Sequence, residues 1–230
     1  MKIGLLECDH VAESFQHIGG DYRDMFQRLL PGVEFVFYDL CNHHFPNSVE
    51  DCDAYVVTGS KYSVYDDIDW IYRLKDLVRD IYHHQKYYIG VCFGHQMLAE
   101  ALGGKVHKSE SGWCVGAHQF QLLHQAPWMH PFKDQLNLLM SCQDQVQQMP
   151  ENSKLLAQSS DCPVAMFQVG KKMMGIQGHP EFPKAYSRAL MDARVERIGL
   201  EKVEVGIKSL DLELDDAVFS GWMMAFFTPA

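Results

Sequence analysis

A cysteine with a glycine two residues to either side carries the first chemical signal in this chain, in the run Gly90-Val91-Cys92-Phe93-Gly94-His95-Gln96. The same spacing around serine makes a nucleophile elbow, a sharp strand-to-helix turn whose crowding admits only small neighbours. Tyr87–Val91 reads as the strand and Gly94–Leu102 as the helix. Cys92 then stands at a helix N-terminus, where unpaired N–H groups and the helix dipole favour thiolate over thiol. The N–H of Phe93 would point toward an oxyanion formed on an attacked carbonyl. On this segment alone, a buried structural cysteine in a strand–helix turn fits as well.

A second segment, Met173-Met174-Gly175-Ile176-Gln177-Gly178-His179-Pro180-Glu181-Phe182, supplies what a thiol nucleophile needs. In extended chain, residues i and i+2 point to the same side, so His179 and Glu181 share a face. Pro180 keeps His179 out of helical geometry. A base to take the thiol proton and a carboxylate to orient that base complete a Cys92–His179–Glu181 triad. The acid follows the histidine, which disfavours an α/β-hydrolase, where it precedes it. His43-His44, His83-His84 and Cys114-x-x-x-His118 complete no tetrahedral set at metal-ligand spacing, so no metal is expected. Covalent acyl transfer needs no cofactor, and none is expected.

With both motifs in view, the chain resembles a class I glutamine amidotransferase domain of the Cys-His-Glu type over most of residues 1–195. The run Ala101-Leu102-Gly103-Gly104-Lys105-Val106 adds to the likeness. Gly112-Trp113 with Gly116, and Met174 through Glu181, resemble the stand-alone GMP-synthase-like members, and the likeness is nearest to gamma-glutamyl peptidases, which cut gamma-glutamyl bonds in glutathione-type compounds. The resemblance implies that Cys92 attacks a gamma-carbonyl, a gamma-glutamyl thioester forms, and His179 serves first as acid and then as base. It implies further that Gly59 completes the oxyanion hole with Phe93, that Gln96 contacts substrate, and that Ser111, Gly112 and Trp113 line the glutamyl pocket. The substrate is then a small molecule: glutamine, a glutathione-type compound or a gamma-glutamyl amine. One departure stands in Ser141-Cys142-Gln143-Asp144, where Cys142 replaces an expected histidine. No base is identifiable beside Cys142 to make it a second nucleophile.

Two other functions stay open. A glutaminase subunit could hand ammonia to a separate synthetase. A non-enzymatic protein could use an exposed, low-pKa Cys92 as a redox sensor, although the His179–Glu181 pair is unneeded for that. About 50 residues follow Glu181, fewer than a typical synthetase domain, which favours a hydrolase acting alone.

The elements that must position these residues follow from periodicity. Ile3–Leu6, Val33–Tyr38, Ala54–Val57 and Tyr87–Val91 are short apolar runs suited to buried strands. Tyr22, Met25, Phe26, Leu29 and Leu30 recur at helical spacing, with Pro31-Gly32 to stop them. Asp67–His84 carries a stripe of Ile68, Ile71, Leu74, Leu77, Val78 and Ile81. This alternation predicts an α/β three-layer sandwich with a mostly parallel, mixed central sheet, flavodoxin-like in outline. Ala117–Leu123, Leu136–Met140, Leu155–Gln158, Val164–Val169 and Met173–Gln177 read as further strands, Pro183–Arg197 as a helix, and Leu210–Phe227 as a terminal helix. No repeat or linker divides the 230 residues. A single domain over 1–230 is expected, with 198–230 as a C-terminal helical extension.

Composition excludes other classes. Asp and Glu number 30 against 20 Lys and Arg, for a net charge of −10. No basic run exists to neutralise phosphates, so neither nucleic acid nor an anionic membrane surface is an expected partner. No stretch approaches the roughly 20 apolar residues of a spanning helix. The 7 scattered cysteines suggest no disulfide framework and point to a reducing, cytoplasmic setting.

Overall fold

The computed structural model describes residues 1–228. Its first half runs β1 (Ile3–Glu7), α1 (Glu13–Gly19), α2 (Tyr22–Leu29), β2 (Phe35–Asp39), β3 (Ala54–Val57), α3 (Asp69–His83), β4 (Tyr87–Val91) and α4 (Phe93–Ala101). The second half runs β5 (Lys105–Lys108), β6 (Cys114–Leu122), β7 (Gln135–Cys142), β8 (Asp144–Gln148), β9 (Ser153–Gln158), β10 (Met166–Val169) and β11 (Met173–Ile176). Four helices follow: α5 (Lys184–Ala193), α6 (Val195–Ile198), α7 (Leu200–Ser209) and α8 (Asp216–Phe227).

Nine strands form one sheet in the order β2-β1-β3-β4-β11-β10-β9-β6-β7. Pairing is parallel from β2 through β11 and antiparallel beyond it. Only β10 and β6 run against the rest. A separate ribbon pairs β5 with β8.

The strand alternation of period two divides the core into two layers. Ile3, Leu5, Ala54, Val56, Ile89 and Val91 face α2, α5 and α8. Leu6, Tyr55, Val57 and Tyr88 face α3, α4 and the β5–β8 ribbon. Strands buried on both faces must be apolar throughout, which is why β1, β3, β4 and β11 read as continuous hydrophobic runs. α3 buries Trp70, Ile71, Leu74, Val78 and Ile81 on one side. α2 starts on a capping box made by Asp21 and Asp24. The fold is thus the three-layer α/β sandwich that the sequence predicts, around a mixed sheet.

The details depart from the sequence reading in places. The helix expected over Pro183–Arg197 breaks at Arg194, where φ −118 and ψ 17 separate α5 from α6. The terminal helix begins at Asp216 rather than Leu210, and Leu212 is exposed. Its start is pinned by Asp215, whose N–H donates to the Asn137 carbonyl and whose carboxylate accepts from the Asn137 N–H at 2.8 Å. β5 and β8 bury little beyond Val106, Gln145 and Val146, so periodicity gave no hint of them. α1 buries only Gly19, and α7 only Val203 and Gly206, so neither shows a wide apolar stripe. No helix among the described residues is long and apolar enough to cross a membrane.

Candidate active site

Three adjacent parallel strands deliver their following residues to one place, as α/β sheets do at the carboxyl ends of their strands. β3 leads to Thr58-Gly59, β4 to Cys92, and β11 to Gln177-Gly178-His179, with Ile176 in register with Val91. The Cys92 N–H donates to the Ile176 carbonyl at 2.9 Å, so β11 itself fixes the turn that ends β4. At that turn Cys92 adopts φ 51 and ψ −100, a conformation L-residues rarely enter. A residue held this way costs about 1–3 kcal/mol, which the surrounding packing must offset. The crowding is severe: a Cβ on Gly90 would lie 2.3 Å from the Gly94 backbone, and one on Gly94 2.5 Å from the Val57 carbonyl oxygen. Both elbow glycines are therefore steric requirements. α4 begins at Phe93, whose N–H belongs to the first, unpaired turn of the helix.

His179 is held from several directions. Its N–H donates to the Leu139 carbonyl at 2.7 Å in an isolated antiparallel bridge, the extended geometry that Pro180 demands. Its Nδ1 lies 2.7 Å from Glu181 Oε1, with side chains 3% and 0% exposed. The ring stacks on Phe182 at 3.8 Å between centroids and 12° between planes. Gly59 closes against both groups: a Cβ there would lie 2.9 Å from His179 Cε1 and 3.7 Å from Cys92 Cβ. Burial works against an imidazolium here. The Glu181 charge, the Cys92 sulfur and hydrogen bonds to both outweigh it, pushing His179 up to about 10.

The Gly59 loop is braced against the loop after β1. Ser60 Oγ donates to the Cys8 carbonyl at 2.9 Å, and the buried Asp9 accepts from Lys61 N–H at 3.0 Å and Lys61 Nζ at 2.8 Å. Behind the elbow, His95 is fully buried with no hydrogen bond of normal geometry on either ring nitrogen. Burial pushes it down to about 4, with the backbone of Gly175 and Val164 opposing only in part. It is a neutral packing residue, edge-on to Phe167 at 5.0 Å.

A cavity of about 450 Å³ opens over Cys92 and His179. Gln96 and Trp113 are in its wall, whereas Ser111 and Gly112 are not. These two sit on a loop tied to α7, where Lys202 Nζ donates to the carbonyls of Ser111 and Trp113. Lys202 thereby holds the loop that carries Ser111, Gly112 and Trp113. The Gln96 amide is already committed, with Nε2 donating to the Asp144 carbonyl at 2.7 Å and to Gln177 Oε1 at 3.1 Å. Its oxygen remains for a ligand, and the two bonds tie α4 to the start of β8 and to the loop before His179.

Cys142 lines the same cavity as a buried thiol. Burial, then the neighbouring Cys92, pushes its ionisation well above the usual thiol range. That keeps it a neutral thiol rather than a second nucleophile. All 7 cysteines are free. Among the described residues, two groups of metal-type ligands converge, His10 with Asp39 and Cys41, and His10 with Glu7 and Asp21. His10 is already engaged on both nitrogens, by Asp21 at 2.7 Å and Asp39 at 3.2 Å.

Sequence reasoning missed Phe182 as the support under the imidazole, the Asp9–Lys61 strap, and the cavity wall that α5 provides through Tyr186, Leu190 and Arg194. Phe182 was visible in the His-x-Glu segment, but stacking has no sequence signature. The strap joins residues 52 apart and carries none either.

Known proteins resemble this chain in sequence and in fold. The model of the family described as "Glutamine amidotransferase class-I" matches residues 33–191. The chain is 31% identical over 190 residues to gamma-glutamyl peptidase 4 of Arabidopsis thaliana, covering 78% of this chain and 73% of that protein. It is 32% identical over 143 residues to a GMP synthase (glutamine-hydrolyzing) of Clostridium novyi, spanning 60% of this chain but only 27% of that one. A crystal structure of a glutamine amidotransferase from Thermotoga maritima superposes with a TM-score of 0.75 at 20% identity, covering 98% of each chain, a likeness of fold. By the extent of the family match and the identity to these relatives, the chain belongs to the class I glutamine amidotransferase family.

Proposed function

We propose that this protein hydrolyses a gamma-glutamyl amide bond through a gamma-glutamyl thioester on Cys92. Membership of the family, with the gamma-glutamyl peptidase relatives, makes it an amide hydrolase. The observation that supports the mechanism is the His179 Nδ1–Glu181 bond of 2.7 Å beside a Gly59 whose added Cβ would meet both His179 Cε1 and Cys92 Cβ. The Cys92 thiol gives its proton to His179 as the sulfur adds to the gamma-carbonyl, and the N–H groups of Phe93 and Gly59 face the oxyanion that forms. The carbon–nitrogen bond then breaks, and the amine or ammonia leaves with a proton from His179. Water, giving its proton to His179, attacks the thioester and releases glutamate with the free thiol. Glu181 fixes the imidazole on Nδ1 and stabilises its charged form throughout.

Incubation of the purified protein with glutathione, gamma-glutamyl dipeptides and glutamine tests this reading. Glutamate release from at least one is expected, and release from none would refute it. A second reading, a glutaminase that passes ammonia to a separate synthetase, draws on the likeness to GMP synthase. It requires a co-purifying ATP-dependent synthetase that raises the glutaminase rate. Strong hydrolysis by the lone chain argues against it.

A further inference from the structure

The leaving group must lie beside His179, because that imidazole protonates the departing nitrogen. From His179 the cavity wall runs along one helix. Phe182 stacks on the imidazole, Tyr186 packs edge-on to Phe182 at 4.8 Å, and Leu190 on α5 and Arg194 just past its end follow at four-residue spacing along the cavity wall. Tyr186 and Arg194 are about 12 Å apart along the helix axis at 1.5 Å per residue. Arg194 ends α5 and lines the same cavity as Cys92 and His179. Its charge is felt at the Tyr186 hydroxyl: burial pushes that phenol up to about 12, and Arg194 is the opposing influence.

Arg194 lies at the break between α5 and α6, half-buried, and among the described residues its side-chain hydrogen bond is Nη1 to Ser141 Oγ at 3.4 Å. Arg197 lines the cavity next to it, with its guanidinium over the Trp113 ring at 4.8 Å. Among the described residues, no carboxylate pairs with either arginine. The carboxylates in the cavity wall are occupied elsewhere: Asp9 by Lys61, Asp66 by the Ser63 N–H, and Asp144 by Ser63 and Tyr65. Two guanidinia without a carboxylate partner, a half-buried Arg194 and an exposed Arg197 stacked on Trp113, thus line a cavity large enough for more than an ammonia leaving group.

The geometry points to Arg194 and Arg197 as a carboxylate-binding subsite for the leaving group, which makes the preferred substrates gamma-glutamyl peptides with a free C-terminal carboxylate rather than glutamine. A planar guanidinium matches a carboxylate bidentately, and such charge-assisted bonds are the strong ones. The inference rests on the gamma-glutamyl hydrolase reading, from which the following experiment separates it.

The test compares gamma-glutamylglycine with its C-terminal carboxamide, with L-glutamine as reference. The wild type is expected to favour the free acid over the carboxamide by at least tenfold in kcat/KM. Arg194→Gln should collapse that ratio toward one, and Arg194→Lys should restore part of it. Equal rates on acid and carboxamide would overturn the subsite while leaving the hydrolase reading intact. Binding to Cys92→Ala, measured by calorimetry with the same pair, keeps the two apart if no turnover is seen. Tighter binding of the acid, lost in the Arg194→Gln double variant, would then support the subsite without the hydrolase. Binding of neither compound would overturn it.

Discussion

Gly59→Ala puts one methyl group where the structure has no room for it. The added Cβ would sit 2.9 Å from His179 Cε1, closer than real Cβ contacts come. The imidazole has little freedom to retreat: it stacks on Phe182 at 3.8 Å, its Nδ1 is bonded to Glu181 at 2.7 Å, and its backbone is bridged to Leu139. Cys92 Cβ, at 3.7 Å, blocks another direction, and the Gly59 loop is strapped through Lys61 to Asp9. Overpacking of this kind costs about 1–3 kcal/mol, and for a chain of this size the melting temperature should fall by about 2–4 °C per kcal/mol. The rate should suffer more. A displacement of around 1 Å in a catalytic group costs on the order of a hundredfold, so kcat should drop by about that factor while KM changes little. Steady-state hydrolysis of a gamma-glutamyl dipeptide, with a thermal melt of the same preparation, measures both. A variant that keeps the wild-type kcat would show that Gly59 does not confine the imidazole, and the site geometry argued above would be wrong.

Other expectations follow from the same site. Cys92→Gly and Cys92→Ala should both be inactive, yet the glycine variant should be the more stable by about 1 kcal/mol in urea unfolding, because φ 51 suits glycine; an alanine variant of equal or greater stability would deny the strain. The alkaline limb of kcat/KM should fall near pH 10, where His179 loses its proton, and Glu181→Gln, with the carboxylate charge gone, should move that limb down by more than one pH unit and leave partial activity; an unmoved limb would mean that Glu181 does not set the imidazole. Because the folded-state value for His179 lies above its ordinary 6.5, its contribution to stability is full below that pH and is lost as pH rises toward about 10. The opposite holds for His95, held down to about 4 by burial: denaturant melts should show stability falling as pH drops from 6.5 toward 4, and a His95→Leu variant with an undiminished acid loss would remove His95 from that account. Arg23→Met should cost about 2 kcal/mol or more in unfolding free energy, since Glu7 is fully buried and Arg23 holds both its oxygens; no loss would mean that the carboxyl is neutral in the folded state.

Much of the scaffold is legible in the sequence because the parallel half of the sheet is buried on both faces. β1, β3 and β4 must be apolar, and their lengths can be read directly from Ile3–Leu6, Ala54–Val57 and Tyr87–Val91. The elbow is legible for a different reason: sterics leave nothing but glycine at Gly90 and Gly94. Legibility ends where a position is set by distant chain. Arg194 reaches the cavity only because α5 breaks there and β7 brings Ser141 beside it. The loop of Ser111 and Gly112 is tied to Lys202, about 90 residues later, and nothing local in the sequence shows that tie. The Gln96 amide nitrogen bonds the Asp144 carbonyl and Gln177, contacts 48 and 81 residues away that local sequence does not show. β5 and β8 stay hidden because a two-stranded ribbon packed on α4 needs few apolar side chains.

The account stands or falls on the sulfur of Cys92 carrying the acyl group. Rapid acid quench of enzyme mixed with gamma-glutamyl dipeptide, followed by peptide mass spectrometry, measures this most directly. The expected result is a glutamyl group on the peptide that contains Cys92, absent from Cys92→Ala and accumulating when the water attack is slowed in Glu181→Gln. Hydrolysis that continues in Cys92→Ala, or an adduct found on Cys142 instead, would contradict it.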